Sequence, residues 1–181
     1  MFKVDTNKVL ETEHLLLRFL RNEDRHDLFV NIYNDKEVLR YFVIQYAEKE
    51  EDIDLSKSIE GAIKRNGYFF SIVLKQTNEV IGMILQCDVP NIYMNTTELG
   101  YALGKKYWNK GYASEALKAM IAFMFDLGIH KITACHFVEN VASRKVMEKC
   151  GMKYEYRKID DLYYHDEYHD TEYLYLLNDK L

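Results

Sequence analysis

The residues best spaced for chemistry lie in one stretch, Leu103-Gly104-Lys105-Lys106-Tyr107-Trp108-Asn109-Lys110-Gly111-Tyr112-Ala113. A strand pattern leads through a loop containing Gly and Asn into an amphipathic helix pattern. The first amides of a helix have no partner inside it, and the helix dipole adds partial positive charge. Such a start attracts an anion, most naturally a pyrophosphate. Gly111 lets backbone approach a ligand with no Cβ in the way, and Asn109 tolerates the left-handed conformation such a loop requires. Lys105, Lys106 and Lys110 add positive charge. Two better-known cradles are excluded: Tyr112 follows Gly111 where G-x-x-x-x-G-K-[ST] would need Lys, and G-x-G-x-x-G is missing. Taken alone, the stretch also fits an ordinary helix start.

A second group follows in ENVASRKVMEKCGM, where Asn140 and Ser143 stand one helical turn apart and face the same way. They fit a ligand contact, and equally a helix cap with a neutral surface serine. By contrast, His165-Asp166-Glu167-Tyr168-His169 matches neither H-E-x-x-H nor H-x-x-E-H, so no metal is expected. Cys87, Cys135 and Cys150 form no C-x-x-C pair and read as small buried hydrophobes.

The elements that must position these groups are legible in order. Residues 14–20 (HLLLRFL) read as a first strand. A helix follows, capped by Asn22 and running through Asn31, with Leu28, Phe29 and Ile32 inward. A second helical piece after Asp35 carries Val38, Leu39 and Phe42, and residues 48–64 read as a third helix with an acidic start. Residues 68–75 and 79–88 pair as a hairpin across Thr77-Asn78, and residues 97–104 form a third strand. The helix after Gly111 repeats Ala113, Ala116, Leu117, Met120, Ile121 and Met124 at helical spacing and ends at Gly128. A strand at 130–138, a short helix at 140–150 and two strands at 153–159 and 171–177 complete the chain, the last two separated by an acidic, tyrosine-rich loop. This order predicts an α+β domain spanning residues 1–181, with a mostly antiparallel mixed sheet of about six to seven strands flanked by helices.

Composition narrows the function. Lys plus Arg number 24 against 29 Asp plus Glu, a net charge of −5 that argues against nucleic acid as partner. It mildly favours cationic or neutral substrates. The opening MFKVDTNKVLETEH has no apolar h-region, and no apolar run is long enough to span a membrane. A cytoplasmic location is the default expectation. A lone Pro90, with no Gly/Ser-rich stretch, leaves no candidate linker.

The stretch E-L-G-Y-x-L-x(4)-W-x-K-G-Y-A-x-E-A, followed by E-N-x-A-S-x-K-V-x-E-K-x-G-M, resembles the GNAT superfamily of N-acetyltransferases, nearest the ribosomal-protein N-terminal (alanine/serine) branch. The opening L-L-L-R and closing D-T-E-Y-L-Y-L-L fit as well. The resemblance implies acetyl-coenzyme A as cosubstrate, no metal, an amine acceptor and a possible homodimer. It implies that the main chain of Tyr101, Ala102 and Leu103 pairs with the pantetheine arm. Trp108, Asn109, Lys110, Gly111, Tyr112 and Ala113 would supply amides to the pyrophosphate, and Asn140 and Ser143 would contact the coenzyme from the neighbouring helix. Asn109 departs from the Gly usual in this branch; Trp108 departs from the wider superfamily but suits the branch.

In the family, attack on the thioester is direct, and a backbone N–H near Leu103 polarises the carbonyl. An amine attacks only as its neutral form, which requires a base. Glu98 is the first choice, acting directly or through a water, with a pKa that burial would have to raise. For the general acid, Met147 stands where many members have Tyr, which leaves Ser143 ahead of Tyr154. From residue 159 to 179 there is no Lys or Arg while Asp160, Asp161, Asp166, Glu167, Asp170 and Glu172 accumulate, which fits a cationic acceptor or a solvated charge run. Alternatives are a polyamine or antibiotic acetyltransferase on the same fold, and a non-catalytic acetyl-coenzyme A-binding sensor or interaction module.

Overall fold

A computed structural model describes residues 3–88 and 95–179; Pro90 lies outside the described residues. One mixed sheet runs through the molecule in the order β1-β2-β3-β4-β5-β6-β8-β7. Its strands are β1 (Val9–Glu11), β2 (Leu15–Phe19), β3 (Phe69–Leu74), β4 (Glu79–Gln86), β5 (Thr96–Leu103), β6 (Lys131–Phe137), β7 (Lys153–Tyr164) and β8 (Glu167–Leu177). Eight strands stand where six or seven were expected. The extra one, β1, is three residues long and largely exposed, so it leaves no apolar alternation to read.

Among the described residues the α-helices are α1 (Arg25–Leu28), α2 (Lys36–Leu39), α3 (Leu55–Lys64), α4 (Tyr112–Asp126) and α5 (Val141–Lys149). The expected helix over residues 22–31 is broken. Asn22–Asp24 forms a 3-10 turn, α1 follows, and Phe29–Tyr33 continues as a π-helical turn. Asn22 does not cap; its Oδ1 accepts from Ser56 Oγ at 3.1 Å. Asp24 redirects the chain instead: it accepts from the Arg21 N–H at 3.0 Å and from Arg18 at 2.6 and 2.8 Å. The helix read over 48–64 likewise divides. Asp52 accepts from the Lys49 N–H, Ile53 turns extended to bury itself, and Asp54 caps α3 through the Lys57 N–H. Aspartate side chains compete with the helix for its own amides, and here they win twice.

The acidic, tyrosine-rich loop is not a loop. β7 and β8 extend to a two-residue turn, with His165 and Asp166 both at positive φ (52° and 64°). Two left-handed residues match the twist of a tight hairpin, and the tyrosines that mask the alternation in sequence suit a pleated surface.

α4 buries Ala116, Leu117, Met120, Ile121 and Met124, as the spacing predicted. It packs on the first half of the sheet and on α5. The core beneath includes Leu15, Leu17, Leu28, Ile32, Phe70, Ile84 and Leu99. The feature that matters for function is a seam. β1 to β5 are antiparallel neighbours, β6, β8 and β7 are another antiparallel set, and among the described residues the two sets join where β5 and β6 pair in parallel over Thr96–Glu98 with Lys131–Thr133. Beyond Glu98, β5 stays bonded to β4 and leaves β6 behind.

Candidate active site

The parted strands expose one edge of β5. The Cys87 N–H donates to the Glu98 carbonyl and the Gly104 N–H to the Ile81 carbonyl, both at 2.9 Å. Even-numbered residues of β5 therefore bond to β4, and the main chain of Tyr101 and Leu103 turns toward the gap. Trp108 lies half-exposed beside it, its indole Nε1 donating to the Leu103 carbonyl at 2.6 Å.

The cradle follows directly. Asn109 sits at φ 60° and Gly111, the N-cap of α4, at φ 89°. A Cβ built on Gly111 meets nothing within 4 Å, so protein atoms do not fill the space in front of it. That open ground before the first amides of a 15-residue helix fits a pyrophosphate. Lys105 and Lys106 contribute less charge than expected. Lys105 pairs with Glu37, and Lys106 with Glu79 at 2.7 Å. Lys110 has no acidic partner among the described residues and lies over the Tyr107 ring. Glu79 works as a clamp on the loop: it also accepts from Tyr107 Oη at 2.5 Å and Asn31 Nδ2 at 3.2 Å. Hydrogen bonds from Lys106 and Tyr107 hold its pKa down at about 2.

On α5, Asn140 is the cap: its Oδ1 accepts from the Ser143 N–H at 3.1 Å. Among the described residues its side-chain Nδ2 has no protein partner, while its backbone N–H donates to the Phe137 carbonyl at 2.8 Å. Ser143 Oγ lies 2.8 Å from Tyr101 Oη, which also donates to the Ser143 carbonyl at 3.1 Å. The structure thus brings Ser143 to β5 through a side chain that sequence reasoning valued only for its main chain. Burial pushes the Tyr101 phenol up, so it stays protonated. The 3-residue step from Glu98 to Tyr101 puts their side chains on opposite faces of β5, but nothing in the sequence pairs Tyr101 with Ser143, 42 residues away.

Glu98 occupies the last rung before the strands part. Its Oε1 accepts from Cys135 Sγ at 3.2 Å, and its N–H donates to Asp88 Oδ1 at 2.7 Å. Burial raises its pKa; the Cys135 hydrogen bond opposes this and the Asp88 charge adds to it. Tyr154, the weaker acid candidate, is exposed on the edge strand β7.

The acidic run is largely satisfied. Asp170 holds Arg157, Glu172 holds Arg144, and Asp161 holds Thr171 Oγ1 and Lys158. Asp166 and Glu167 remain exposed at the hairpin turn. Tyr164 latches that turn onto α2 by donating to the Leu39 carbonyl at 3.0 Å, beside a hollow of about 380 Å³ lined in part by Leu39, Ile44, Tyr46 and His165. Among the described residues, no cluster of His, Cys, Asp and Glu could hold a metal, and no helix is long and apolar enough to cross a membrane.

A family model for the acetyltransferase (GNAT) domain matches residues 14–153. The chain belongs to the GNAT family. It is 33% identical over 165 residues to the uncharacterised N-acetyltransferase p20 of Bacillus licheniformis, across 83% of this chain and 88% of that one. The ribosomal-protein-S5-alanine acetyltransferase of Vibrio fischeri superposes with a TM-score of 0.83 at 21% identity, covering 95% of this chain and 97% of that one. The spermidine N-acetyltransferase of Vibrio cholerae, in complex with coenzyme A and spermine, gives 0.79 at 22% identity, covering 93% and 98%. The GNAT chain is thus an acyltransferase, an acetyl-coenzyme A-dependent N-acetyltransferase, and relatives of the expected ribosomal-protein branch are among its neighbours.

Proposed function

We propose that this chain transfers an acetyl group directly to a primary amine, with Glu98 as general base and Ser143 as the proton donor. The observation that supports this most is the position of Glu98 at the point where β5 and β6 part, in surroundings that raise its pKa. A base poised nearer neutrality than an ordinary carboxylate can take a proton from an ammonium and release it again.

Bound acetyl-coenzyme A supplies an activated thioester; the chain supplies everything else. The amides of residues 108–113 hold phosphate oxygens, with Gly111 and Asn109 keeping the loop open. The main chain of Tyr101 and Leu103 completes the sheet edge against the pantetheine arm, and a backbone N–H there polarises the carbonyl. Glu98, on one face of β5, accepts the amine's proton. Ser143, on the other, gives a proton to the departing sulfur, its Oγ held by the contact with Tyr101 Oη. The acceptor is a peptide N-terminal α-amine or a small amine such as a polyamine; both kinds of enzyme are among the structural neighbours. A non-catalytic sensor would bind coenzyme and release no thiol.

The test is calorimetric titration with acetyl-coenzyme A, followed by thiol release in the presence of an amine panel. Micromolar binding that Gly111→Asp abolishes, together with amine-dependent thiol release, supports the proposal. Absence of binding by the natural chain overturns it, and binding without thiol release leaves the sensor.

A further inference from the structure

Tyr173 lies one strand beyond the proposed base. It stands opposite Cys135 on β6 and opposite Tyr156 on β7. The Tyr156 ring stacks on it at 4.8 Å with an interplanar angle of 13°. The Cys135 thiol that it faces is the one that donates to Glu98. One cation completes the group. Lys158 Nζ lies 4.5 Å from the Tyr173 ring centroid, donates to Tyr173 Oη at 3.1 Å and sits 3.5 Å from Asp161 Oδ1.

Asp161 reaches that place through a deliberate irregularity of the backbone. The register of β7 against β8 shifts between Lys158 and Leu162. Asp160 turns left-handed at φ 51°, and its N–H is tied to Asp170 Oδ1 at 2.8 Å. Asp161 is then held by Thr171 Oγ1 at 2.6 Å, with its side chain only 19% exposed. Bulges in edge strands re-aim side chains, and this one delivers a carboxylate to an aromatic face. A lysine at a strand edge normally extends into water, because ordering it costs rotamer entropy that an exposed ion pair barely returns. Lys158, its side chain 44% exposed, instead bends over a π face, a hydroxyl oxygen and a carboxylate, the set of partners that recognises an alkylammonium.

We infer that this nest of Tyr173, Asp161 and the neighbouring Glu98 is the seat for the acceptor's ammonium, and that Lys158 is a tethered stand-in which the acceptor displaces. This rests on the acetyltransferase reading and names its acceptor class. The stand-in presents an ammonium on an unbranched methylene chain, so the seat matches an aminoalkyl group rather than the α-amine of a peptide, whose nitrogen is borne on a branched carbon. After displacement the ammonium lies beside the Cys135–Glu98 pair, where Glu98 takes one proton; the neutral nitrogen then forms the C–N bond as the thioester C–S bond breaks, Ser143 protonates the departing sulfur, and the second proton shed by the acylated nitrogen restores the Ser143 hydroxyl.

The experiment titrates the protein with coenzyme A first, and then, with coenzyme A saturating, with 1,5-diaminopentane and separately with alanylalanine amide. Lys158→Gln frees the seat and is expected to tighten diamine binding by about tenfold, the gain for removing an occupant present roughly nine-tenths of the time. Asp161→Asn is expected to weaken it, and the peptide amide is expected to bind more weakly than the diamine in every variant. Thermal melting of both variants shows that they are folded. Diamine affinity unchanged in Lys158→Gln, no diamine binding at all, or a peptide amide that binds as tightly as the diamine overturns the seat while coenzyme A binding stands. Failure of the natural chain to bind coenzyme A overturns the transferase reading itself.

Discussion

The carboxyl proposed as the base sits in surroundings that make ionisation costly. At Glu98 those surroundings are burial and the charge of Asp88, only partly offset by Cys135 and Lys158. Its folded pKa therefore exceeds its unfolded value of about 4.3. A raised acid pKa contributes stability below the unfolded value, and that contribution is lost as pH rises through the folded value. Glu98→Gln should thus melt higher than the natural chain at neutral pH, with the difference closing toward pH 4. The same substitution should lower kcat/KM by roughly 10²- to 10⁴-fold and remove the acid limb of its pH profile. An acid limb that survives in the variant assigns the titration to another group. Gly111 makes the complementary case. Ala there forces an L-residue into the left-handed region at a cost of about 1–2 kcal/mol, with no clash in the free protein. Stability should fall by no more than that, while the dissociation constant for coenzyme A rises by about tenfold or more, equivalent to ~1.4 kcal/mol; equal affinities would mean that ligand does not approach Gly111.

At the scale of elements, the cradle loop is held from outside itself. Glu79, the first residue of β4, gathers Lys106, Tyr107 and Asn31. Glu79→Ala should cost about 1.5–3 kcal/mol, the range for hydrogen bonds to a charged group, and weaken coenzyme binding. A denaturant midpoint and a titration check the two effects separately. None of this clamp was legible beforehand, since Glu79 and Lys106 are 27 residues apart and strand register is a long-range property. What could be read was local: the 3.6-residue repeat of α4, its left-handed stop at Gly128, the left-handed Asn109 in the loop before it, and the hairpin at Thr77-Asn78. Misreadings fell where aspartates outcompete a helix, as at Asp24, Asp52 and Asp54, and where tyrosines hide alternation, as in β7 and β8. For the site, the candidate cradle and the candidate base Glu98 could be named from sequence; the Tyr101–Ser143 contact required the packing of α5 on β5 to be known.

For the molecule as a whole, an ion pair joins the first strand of the core to the helical layer. Asp24, 3% exposed, accepts from Arg18 and from Ser71 Oγ at 2.6 Å. Burial opposes its ionisation, but Arg18, Ser71 and the Arg21 amide outweigh that and hold its pKa below the ordinary value. Its stabilisation is therefore complete above the unfolded pKa of ~3.9 and lost as pH falls through the folded value. Asp24→Ala, which strands Arg18, should cost about 3–5 kcal/mol and abolish that part of the acid transition; urea titrations at pH 7 and pH 3 measure both. The seam between β5 and β6 has a different consequence. Tyr101 and Leu103 sit in the middle of a sheet, yet their amides turn to a gap, while their even-numbered neighbours are tied to β4. In deuterated solvent a single strand should therefore label in stripes, fast at alternate positions and slow between. Occupancy of the gap should erase that pattern residue by residue.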